Sequence, residues 1–339
     1  MAAKSKPTVP RKRLSWKIRL RNMLIWAAIL LGLLWFYIAQ PTLKSSAKSD
    51  AEVSPERLEK HVRMLSETFA PRSFAHFKNL NATASYIADE LGAIDSGGKL
   101  TDQFFDVDRK RYRNISLFLN ENKKGPRVIV GAHYDGYGEF PAADDNASGV
   151  AGLIELARLI GDGNSINFPI EFVAYPLEEP PHFGSAVMGS SFHARSLKKE
   201  NHDVKLMISL EMIGYFLDEI GSQHYPNKLL YLMYPARGNF IAVIGRTDMR
   251  DAIKNFKIGM KGTTNLPVYS IAAPAALPGV DFSDHRNYWE QGYPAVMVSD
   301  TAFYRNTAYH TSGDTADRLD YSRMSETVIA VFEALKALE

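Results

Sequence analysis

The sequence has 339 residues, 45% hydrophobic and 23% charged, which is enough apolar material for one large or two small globular domains. Eight lysines and arginines and no acid precede residue 41, and the remaining 32 cations and 38 acids give residues 41–339 a net charge of −6. A nucleic-acid-binding body is therefore disfavoured. The absence of cysteine excludes thiol catalysis, disulfides, iron–sulfur clusters and Cys-based zinc fingers.

The first predicted element is a membrane-spanning helix near the amino terminus. Residues 23–39 carry no charge, and a helix of that length nearly spans a hydrocarbon layer of about 30 Å. The positive-inside rule places the basic residues 1–22 in the cytoplasm and the rest outside it, in the periplasm if the organism is bacterial. We therefore predict a single-pass anchor at 23–40 in the lipid bilayer. A cleaved signal peptide is the alternative, since small residues follow at 45–47.

Residues 41–54 are small and polar and predict a linker, followed by one catalytic domain over 55–339. Apolar periodicity predicts helices over 55–69, 79–93, 146–160, 186–198, 284–291 and 321–338. β-rich apolar runs predict strands over 101–107, 113–120, 127–133, 171–176, 205–213, 229–234 and 294–299. This alternation predicts an α/β fold, with a mixed, mostly parallel sheet covered by helices on both faces.

Ionisable residues follow several of these strands. The strand at 127–133 ends in His133, Glu178 and Glu179 follow the strand at 171–176, and Glu211 lies near the end of the strand at 205–213. Because ligands bind outside the carboxyl ends of parallel strands, we expect these side chains to share one edge of the sheet. Imidazole and carboxylate groups suit zinc or another divalent first-row metal, and two ions can share a bridging carboxylate.

Each motif taken singly has an ordinary structural explanation, such as a solvated acid pair or a helix cap. Together, four ordered blocks resemble the co-catalytic two-zinc aminopeptidases, whose relatives include glutamate carboxypeptidases and glutaminyl cyclases. The blocks are His-x-Asp at 133–135, Asp-Asn-Ala-Ser-Gly at 145–149, Glu-Glu at 178–179, and Tyr-His-Thr with Asp-Thr within 309–315. The resemblance covers residues 55 to 335, nearly the whole predicted domain.

The resemblance implies two Zn²⁺ ions per chain and a set of five ligands. His133 and Glu211 are implied for the first ion, and Asp145 is implied as the carboxylate that bridges both. Glu179 and His310 are implied for the second ion. Glu211 departs from the family, in which this position is commonly Asp, although Met-Ile-Gly continues the family's pattern after it.

The resemblance also implies roles for residues beside the ligands. Glu178 is expected to be the general base, and Tyr309 to donate a hydrogen bond to the developing oxyanion. Asp135 is expected to orient His133 through the far nitrogen of its ring, and Asp144 to support the metal loop from behind. Both acids are therefore expected to act through the ligands.

Two further segments near the implied site predict contacts with substrate. Glu178-Glu179 is followed by two prolines, which indicates a stiffened loop at the rim of the site, and we expect His182 and Phe183 to contact substrate from this loop. The stretch 281–286 resembles a family segment near the pocket. From it, Asp284 and His285 are expected to position substrate or to brace the site.

These features together predict a membrane-anchored zinc aminopeptidase that acts on peptides outside the cytoplasm. The closest rival is a glutaminyl cyclase, an acyltransferase that uses one zinc on a related scaffold. A carboxypeptidase for acidic dipeptides is a further alternative, although no distinct arginine patch is present to hold two carboxylates. A catalytically inactive receptor or scaffold is the alternative from a different class. The sequence leaves the oligomeric state open.

Overall fold

The computed structural model describes residues 15–94, 97–163 and 166–338. The first 14 residues of the predicted basic tail therefore lie outside the described residues. The helices are α1 (Trp16–Ile38), α2 (Pro55–Arg63), α3 (Phe77–Gly92), α4 (Gly149–Gly161), α5 (Gly189–Lys199), α6 (Arg250–Met260), α7 (His285–Glu290) and α8 (Tyr321–Lys336). The strands are β1 (Lys99–Val107), β2 (Lys110–Leu119), β3 (Arg127–His133), β4 (Ile170–Tyr175), β5 (Val204–Glu211), β6 (Ile241–Arg246), β7 (Val268–Ala273) and β8 (Ala295–Ser299).

The strands form one mixed sheet in the order β1-β2-β4-β3-β5-β8-β6-β7. The central strands β4, β3, β5 and β8 run parallel to their neighbours within this group. β1 and β2 are antiparallel at one end of the sheet, and β6 runs antiparallel to β8 near the other end. The predicted α/β class with a mostly parallel sheet is confirmed. Because the central strands run in one direction, their carboxyl ends meet at a single edge.

Helices cover both faces of this sheet, because successive strand residues point to opposite sides. In β3, Val128 and Val130 pack into one large core with side chains from α2, α3, α4, α6 and α8. Ile129, between them, packs into a second core on the other face with side chains from α5 and α7. Since β3 is buried from both sides, the residues at its carboxyl end are held by a rigid support.

Helix α1 projects from the domain and has no buried residue. It is 23 residues long with a mean hydropathy of 1.6, and among the described residues it is the helix long and apolar enough to cross a membrane. It begins at Trp16, seven residues before the uncharged run at 23–39, and so includes three cations in its first two turns. The following residues, 41–54, form no helix or strand and pair with the domain through Ser46 N to Lys261 O and Ser49 N to Thr263 O.

Two parts of the predicted secondary structure differ from the structure. The predicted strand at 229–234 is wrong: Lys228–Leu232 forms a short 3₁₀ helix. Its apolar run has no period of two, because Leu230 and Tyr234 are buried while Leu229, Tyr231 and Leu232 are exposed. No element was predicted from sequence where β6, α6 and β7 lie. The two strands β6 and β7 complete the sheet beyond β8.

Candidate metal centre

The five predicted ligands come together at the edge where the central strands end. His133 is the last residue of β3 and pairs in register with Tyr175, the last residue of β4. Glu179 follows β4 by four residues, and Glu211 is the last residue of β5. Asp145 lies in the turn before α4, and His310 lies in the turns before α8. The topology therefore gathers side chains that lie far apart in sequence.

The first group of donors is formed by His133, Asp145 and Glu211. His133 Nε2 lies 3.5 Å from Asp145 Oδ1 and 3.3 Å from Glu211 Oε2. Two ligand atoms on a tetrahedral Zn²⁺, each about 2.1 Å from the ion, are roughly 3.4 Å apart. The spacing of these three donors therefore matches what one small divalent cation requires.

The second group of donors contains the other oxygen of Asp145. His310 Nε2 lies 3.0 Å from Asp145 Oδ2 and 3.0 Å from Glu179 Oε2. In each group, the ligand atoms lie within 4.8 Å of one another. Because the two oxygens of Asp145 face different groups, this carboxylate has the geometry of a bridge between two cations.

The hydrogen bonding of these donors tests whether a metal fits them. Within the described part of the chain, His133 Nε2, His310 Nε2, Asp145 Oδ2 and Glu179 Oε1 are buried and make no hydrogen bond. Buried polar atoms are rarely left unpaired, because an unsatisfied group costs about 1–3 kcal/mol. Two imidazole nitrogens and two carboxylate oxygens left in this way fit a pair of divalent cations, which satisfy all of them.

Electrostatics at the site separate Asp145 from the three glutamates: burial raises the pKa of Glu178, Glu179 and Glu211 alike. Glu178 is buried, and its Oε2 lies 3.9 Å from His133 Nε2. Burial raises the pKa of Glu178 well above its usual value, opposed by His133 and reinforced by Glu211. Although burial acts on Asp145 as well, the imidazoles of His133 and His310 lower the pKa of that carboxyl below its usual range. Glu178 is the one of these glutamates that belongs to neither donor group, so its carboxyl is free to carry a proton, and Asp145 has the environment of a permanent anion.

Asp135 supports the pair of glutamates from behind. Its Oδ1 accepts a hydrogen bond from Glu178 N at 3.1 Å and its Oδ2 from Glu179 N at 3.0 Å. His133 Nδ1 lies 3.2 Å from the main-chain oxygen of Asp135 and 3.6 Å from its Oδ1. The ring of His133 is thus oriented by a hydrogen bond to the main-chain oxygen of Asp135. The expected hydrogen bond to the Asp135 carboxylate is not formed. The carboxylate instead fixes the backbone that carries both glutamates.

Asp144 and Asp314 fix the loop that carries Asp145. Asp144 Oδ1 accepts from Gly214 N at 3.1 Å and its Oδ2 from Asn306 Nδ2 at 3.1 Å, which ties the loop to the segment after β5. The two oxygens of Asp314 accept from Asp144 N and Asp145 N, both at 3.1 Å. Asp314 was predicted only as the acid of the Asp-Thr motif within 309–315, with no role at the site. Its pairing across about 170 residues has no local sequence signal.

His310 is held between two aromatic rings. Tyr309 stacks on one face with ring centroids 3.7 Å apart, and Tyr137 stacks on the other face at 4.0 Å and 6° from parallel. Tyr137 was not among the predicted site residues, and its only sequence signal is its place in the loop after His133. Ser283 was not among them either; its Oγ donates to Glu211 Oε2 at 2.7 Å and so orients this predicted ligand.

The residues predicted to contact substrate divide into two pairs. His182 and Phe183 are half-buried on the loop after Glu179; His182 packs edge-on against Phe74, and Phe183 against Phe282. Asp284 and His285 have no exposed surface. His285 Nε2 lies 2.8 Å from Val280 O, and burial lowers the pKa of its imidazole to about 4. Both residues of this pair therefore lack the exposure that direct substrate contact needs, and His285 belongs to the packing of α7.

An apolar cavity adjoins the metal centre. It measures about 820 Å³ including the space open to solvent, and Glu211 and Tyr309 lie in its wall at the end near the centre. The rest of the wall comes from Phe240, from β6, β7 and β8, and from the segments 223–234, 277–282 and 301–304, including Tyr225, Leu230 and Tyr234. A cavity of this kind suits an apolar group of a ligand held at the metal centre.

Comparison with other sequences gives relatives along most of the chain. It is 44% identical to Uncharacterized protein YfbL of Escherichia coli (strain K12) over 320 residues, which cover 92% of this chain and 96% of that protein. It is 27% identical to Leucine aminopeptidase 1 of Paracoccidioides brasiliensis (strain Pb03) over 212 residues, which cover 58% of this chain and 48% of that protein. The chain thus spans about half the length of this aminopeptidase.

Solved structures with the same fold include two kinds of enzyme. A leucine aminopeptidase precursor from Bacteroides thetaiotaomicron matches with a TM-score of 0.63 and 18% identity over 86% of this chain and 99% of its own. A glutaminyl cyclase from Fimbriiglobus ruber matches with a TM-score of 0.62 and 19% identity over 88% and 99%. At these identities the likeness shows the fold alone.

A family profile described as Peptidase family M28 matches residues 114–335, about two thirds of the chain. This match and the strand-end residues agree with the resemblance to aminopeptidases, which is confirmed. The chain belongs to peptidase family M28.

Proposed function

We propose that this chain is a membrane-anchored, zinc-dependent aminopeptidase that removes the N-terminal residue from peptides. The observation that carries the proposal is the pair of donor groups that share Asp145, with Glu178 beside them. Membership of peptidase family M28 and the similarity to leucine aminopeptidase 1 support it. Two groups with a shared carboxylate favour a two-metal peptidase over a cyclase with one zinc.

In this proposal the five predicted ligands hold two Zn²⁺ ions. His133, Asp145 and Glu211 would hold one ion, and Asp145, Glu179 and His310 the other. When bound, the ions polarise a peptide carbonyl and lower the pKa of bound water towards neutrality. Ser283 and Asp135 keep Glu211 and Glu179 in place, by the hydrogen bonds to the Glu211 carboxylate and to the Glu179 backbone.

Glu178 moves the proton in the proposed reaction. Its carboxylate accepts a proton from the attacking water and then donates that proton to the leaving amine. A carboxyl with a raised pKa is suited to this work, because it must be able both to take up and to release a proton near neutral pH. Its burial also keeps bulk water from exchanging that proton.

Tyr309 is proposed to stabilise the negative charge that develops on the carbonyl oxygen. Its ring is fixed against His310 and lies in the wall of the apolar cavity. Burial and the nearby Asp145 raise the pKa of its phenol, so the hydroxyl stays protonated and can donate a hydrogen bond. The same cavity supports a preference for a large apolar residue at the amino terminus of the substrate.

For the topology, we propose that residues 1–22 are cytoplasmic and that α1 spans the bilayer, with the catalytic domain outside the cytoplasm. The apolar composition of α1 and the eight cations before residue 41 support this orientation. Protease added to sealed spheroplasts tests it: the domain should be digested while the amino-terminal tail is protected. Recovery of a mature chain that begins after residue 47 would instead favour the cleaved signal peptide.

The test of the activity uses the full chain in detergent with a panel of aminoacyl chromogenic substrates. Glu178→Gln should lower kcat/KM by about 100-fold or more with two Zn²⁺ ions still bound, since general base catalysis contributes about 10²–10⁴-fold. Glu200→Gln, at an exposed glutamate outside the site, is the control. Chelator should abolish the activity and added zinc restore it. One zinc with pyroglutamate formation would favour the cyclase, and a metal-loaded chain without any turnover would favour the receptor or scaffold.

A further inference from the structure

The carboxyl-terminal end of α1 is fastened to the catalytic domain. Lys257 Nζ donates to Ala39 O at 3.0 Å, and Ser270 Oγ donates to the same oxygen at 3.2 Å. Arg250 Nε donates to Tyr37 O at 3.1 Å, and its guanidinium lies 3.8 Å from the centroid of the Tyr37 ring. These cations meet the negative end of the helix dipole. The point where α1 leaves a bilayer is therefore fixed against α6 and β7.

The 3₁₀ segment Lys228–Leu232 lies beside this end of α1. Its Leu230 is buried in a small cluster with Ala39 and Tyr234. The other large side chains of the segment are exposed: Leu229, Tyr231 and Leu232 are 52%, 40% and 70% exposed. Leu43, just beyond α1, is fully exposed as well. A group of exposed large apolar side chains marks a contact with a partner or a membrane.

The two chain segments that carry these side chains contain cations and no acid. Lys44, Lys48 and Lys228 are exposed on these segments. Residues 39–49 contain no acid, and neither do residues 220–247. Apolar side chains bordered by lysines are typical of surfaces that lie in the headgroup region of a membrane, where the apolar groups enter the lipid and the cations meet phosphates.

We propose that Leu43, Leu229, Tyr231 and Leu232, here called the membrane-facing patch, lie in the headgroup region of the bilayer that α1 spans. The proposal rests on the proposed anchoring by α1. It commits to lipid as the occupant, because Leu230 of the same segment packs against Ala39 at the end of α1, and the segments that carry the patch contain exposed lysines and no acid. A second copy of the chain is the rival occupant, and the test below separates the two.

The patch is the outer side of a wall whose inner side faces the apolar cavity. Leu230 and Tyr234, which pack against Ala39, also line that cavity, together with Tyr225 from the same segment. Membrane contact at the patch would therefore hold the wall of the substrate cavity against the bilayer surface. We therefore expect the substrates of this peptidase to be peptides that lie close to the membrane surface.

The chain contains no cysteine, so a single introduced cysteine carries a fluorophore without background labelling. Leu229→Cys and Leu232→Cys report on the patch, and Leu30→Cys, exposed in the middle of α1, reports on the anchor. Leu100→Cys is the matched control, because it is an exposed leucine on β1, at the opposite end of the sheet from β7. Each labelled full chain is placed in phosphatidylcholine–phosphatidylglycerol vesicles with or without lipids that carry a spin-label quencher.

The expected result is strong quenching at Leu30, quenching with a blue-shifted emission at Leu229 and Leu232, and no quenching at Leu100. Quenching at Leu30 but only the Leu100 level at the patch overturns the proposal and leaves the anchor intact. A blue shift at the patch without lipid quenching, growing with the ratio of protein to lipid, identifies a second copy and also overturns it. No quenching at Leu30 refutes the anchor and the patch together, while aminopeptidase activity of the same samples reports on the rest of the proposed function.

Discussion

Asp135→Asn tests whether the buried carboxylate behind the metal centre holds the backbone of the two glutamates. The two oxygens of Asp135 accept the N–H groups of Glu178 and Glu179 at 3.1 and 3.0 Å. Asparagine offers one acceptor oxygen, so one of the two N–H groups would face an NH₂ group and lose its partner. A hydrogen bond to a charged group contributes about 1.5–3 kcal/mol, and a buried unpaired N–H costs about 1–3 kcal/mol. We expect the free energy of unfolding to fall by about 3 kcal/mol.

The change should also weaken zinc binding, because Asp135 fixes the backbone of Glu179 and contacts His133. Removal of such supporting groups typically lowers metal affinity by about 10–100-fold. Urea unfolding in chelator, followed by circular dichroism, gives the stability, and competition with a chromogenic chelator gives the zinc affinity. Asp317→Asn is the control: Asp317 is exposed, its Oδ1 contacts Arg63, and an exposed pair contributes about 1 kcal/mol at most. Wild-type stability and zinc affinity in Asp135→Asn would refute the reasoning.

Three further substitutions have definite expected outcomes. Tyr137→Leu removes one of the two rings that hold His310; zinc affinity measured by the same competition should fall, and an unchanged affinity would show that the Tyr309 ring is sufficient. Gly149→Ala places a Cβ 2.3 Å from Asn146 Oδ1 and 2.5 Å from Leu210 O, whereas in the control Gly92→Ala the nearest atom is at 3.4 Å. Thermal unfolding should show a loss of about 1–3 kcal/mol for the first only. Despite burial, His193 and Arg127 lower the pKa of Glu171 from 4.5 to about 2, so the stability that it contributes is complete above pH 4.5 and is lost as the pH falls towards 2. Urea unfolding as a function of pH should therefore show about 3 kcal/mol of acid-dependent loss that is absent in Glu171→Gln, at about 1.36 kcal/mol per pKa unit.

The edge of the sheet that carries the site could be predicted from sequence, because strand ends are local features. The run 128–132 is apolar and is followed by His133, and a largely apolar run precedes Glu211. Each of these two side chains is a possible metal ligand, and each also marks the end of its strand. Once two strands are taken as parallel neighbours, their ends must coincide, and the observed register of β3 against β4 and β5 agrees. The α/β class follows from the same alternation of strands and helices.

The supporting residues could not be predicted, because each acts across a long separation in sequence. Asp314 pairs with the amides of Asp144 and Asp145, and Ser283 with Glu211, only after the loops are in place. The role of Tyr137 depends on which ring face of His310 its loop approaches. These contacts follow from tertiary packing, for which neither spacing nor residue type is a sufficient signal.

The apolar run at 229–234 shows a different kind of error. Its side chains suit the interior of a sheet, yet three of its large ones are exposed. Sequence patterns assume that apolar side chains are buried in protein, and that assumption fails where the surrounding medium itself is apolar. If the proposed lipid contact of this segment holds, the same misreading is expected in other domains that lie against a lipid surface.

The attachment of residues 41–54 along the domain determines how far the enzyme can reach. If these 14 residues were a free, flexible tether, the distance between the domain and the end of α1 could vary over about 20 Å. Instead, hydrogen bonds from Ser46 and Ser49 to the chain after α6 remove that freedom. In the proposed membrane-anchored enzyme, the catalytic groups would therefore stay at one constant distance from the lipid surface. Under this proposal, a peptide substrate would be selected by whether its amino terminus reaches that distance as well as by its chemistry.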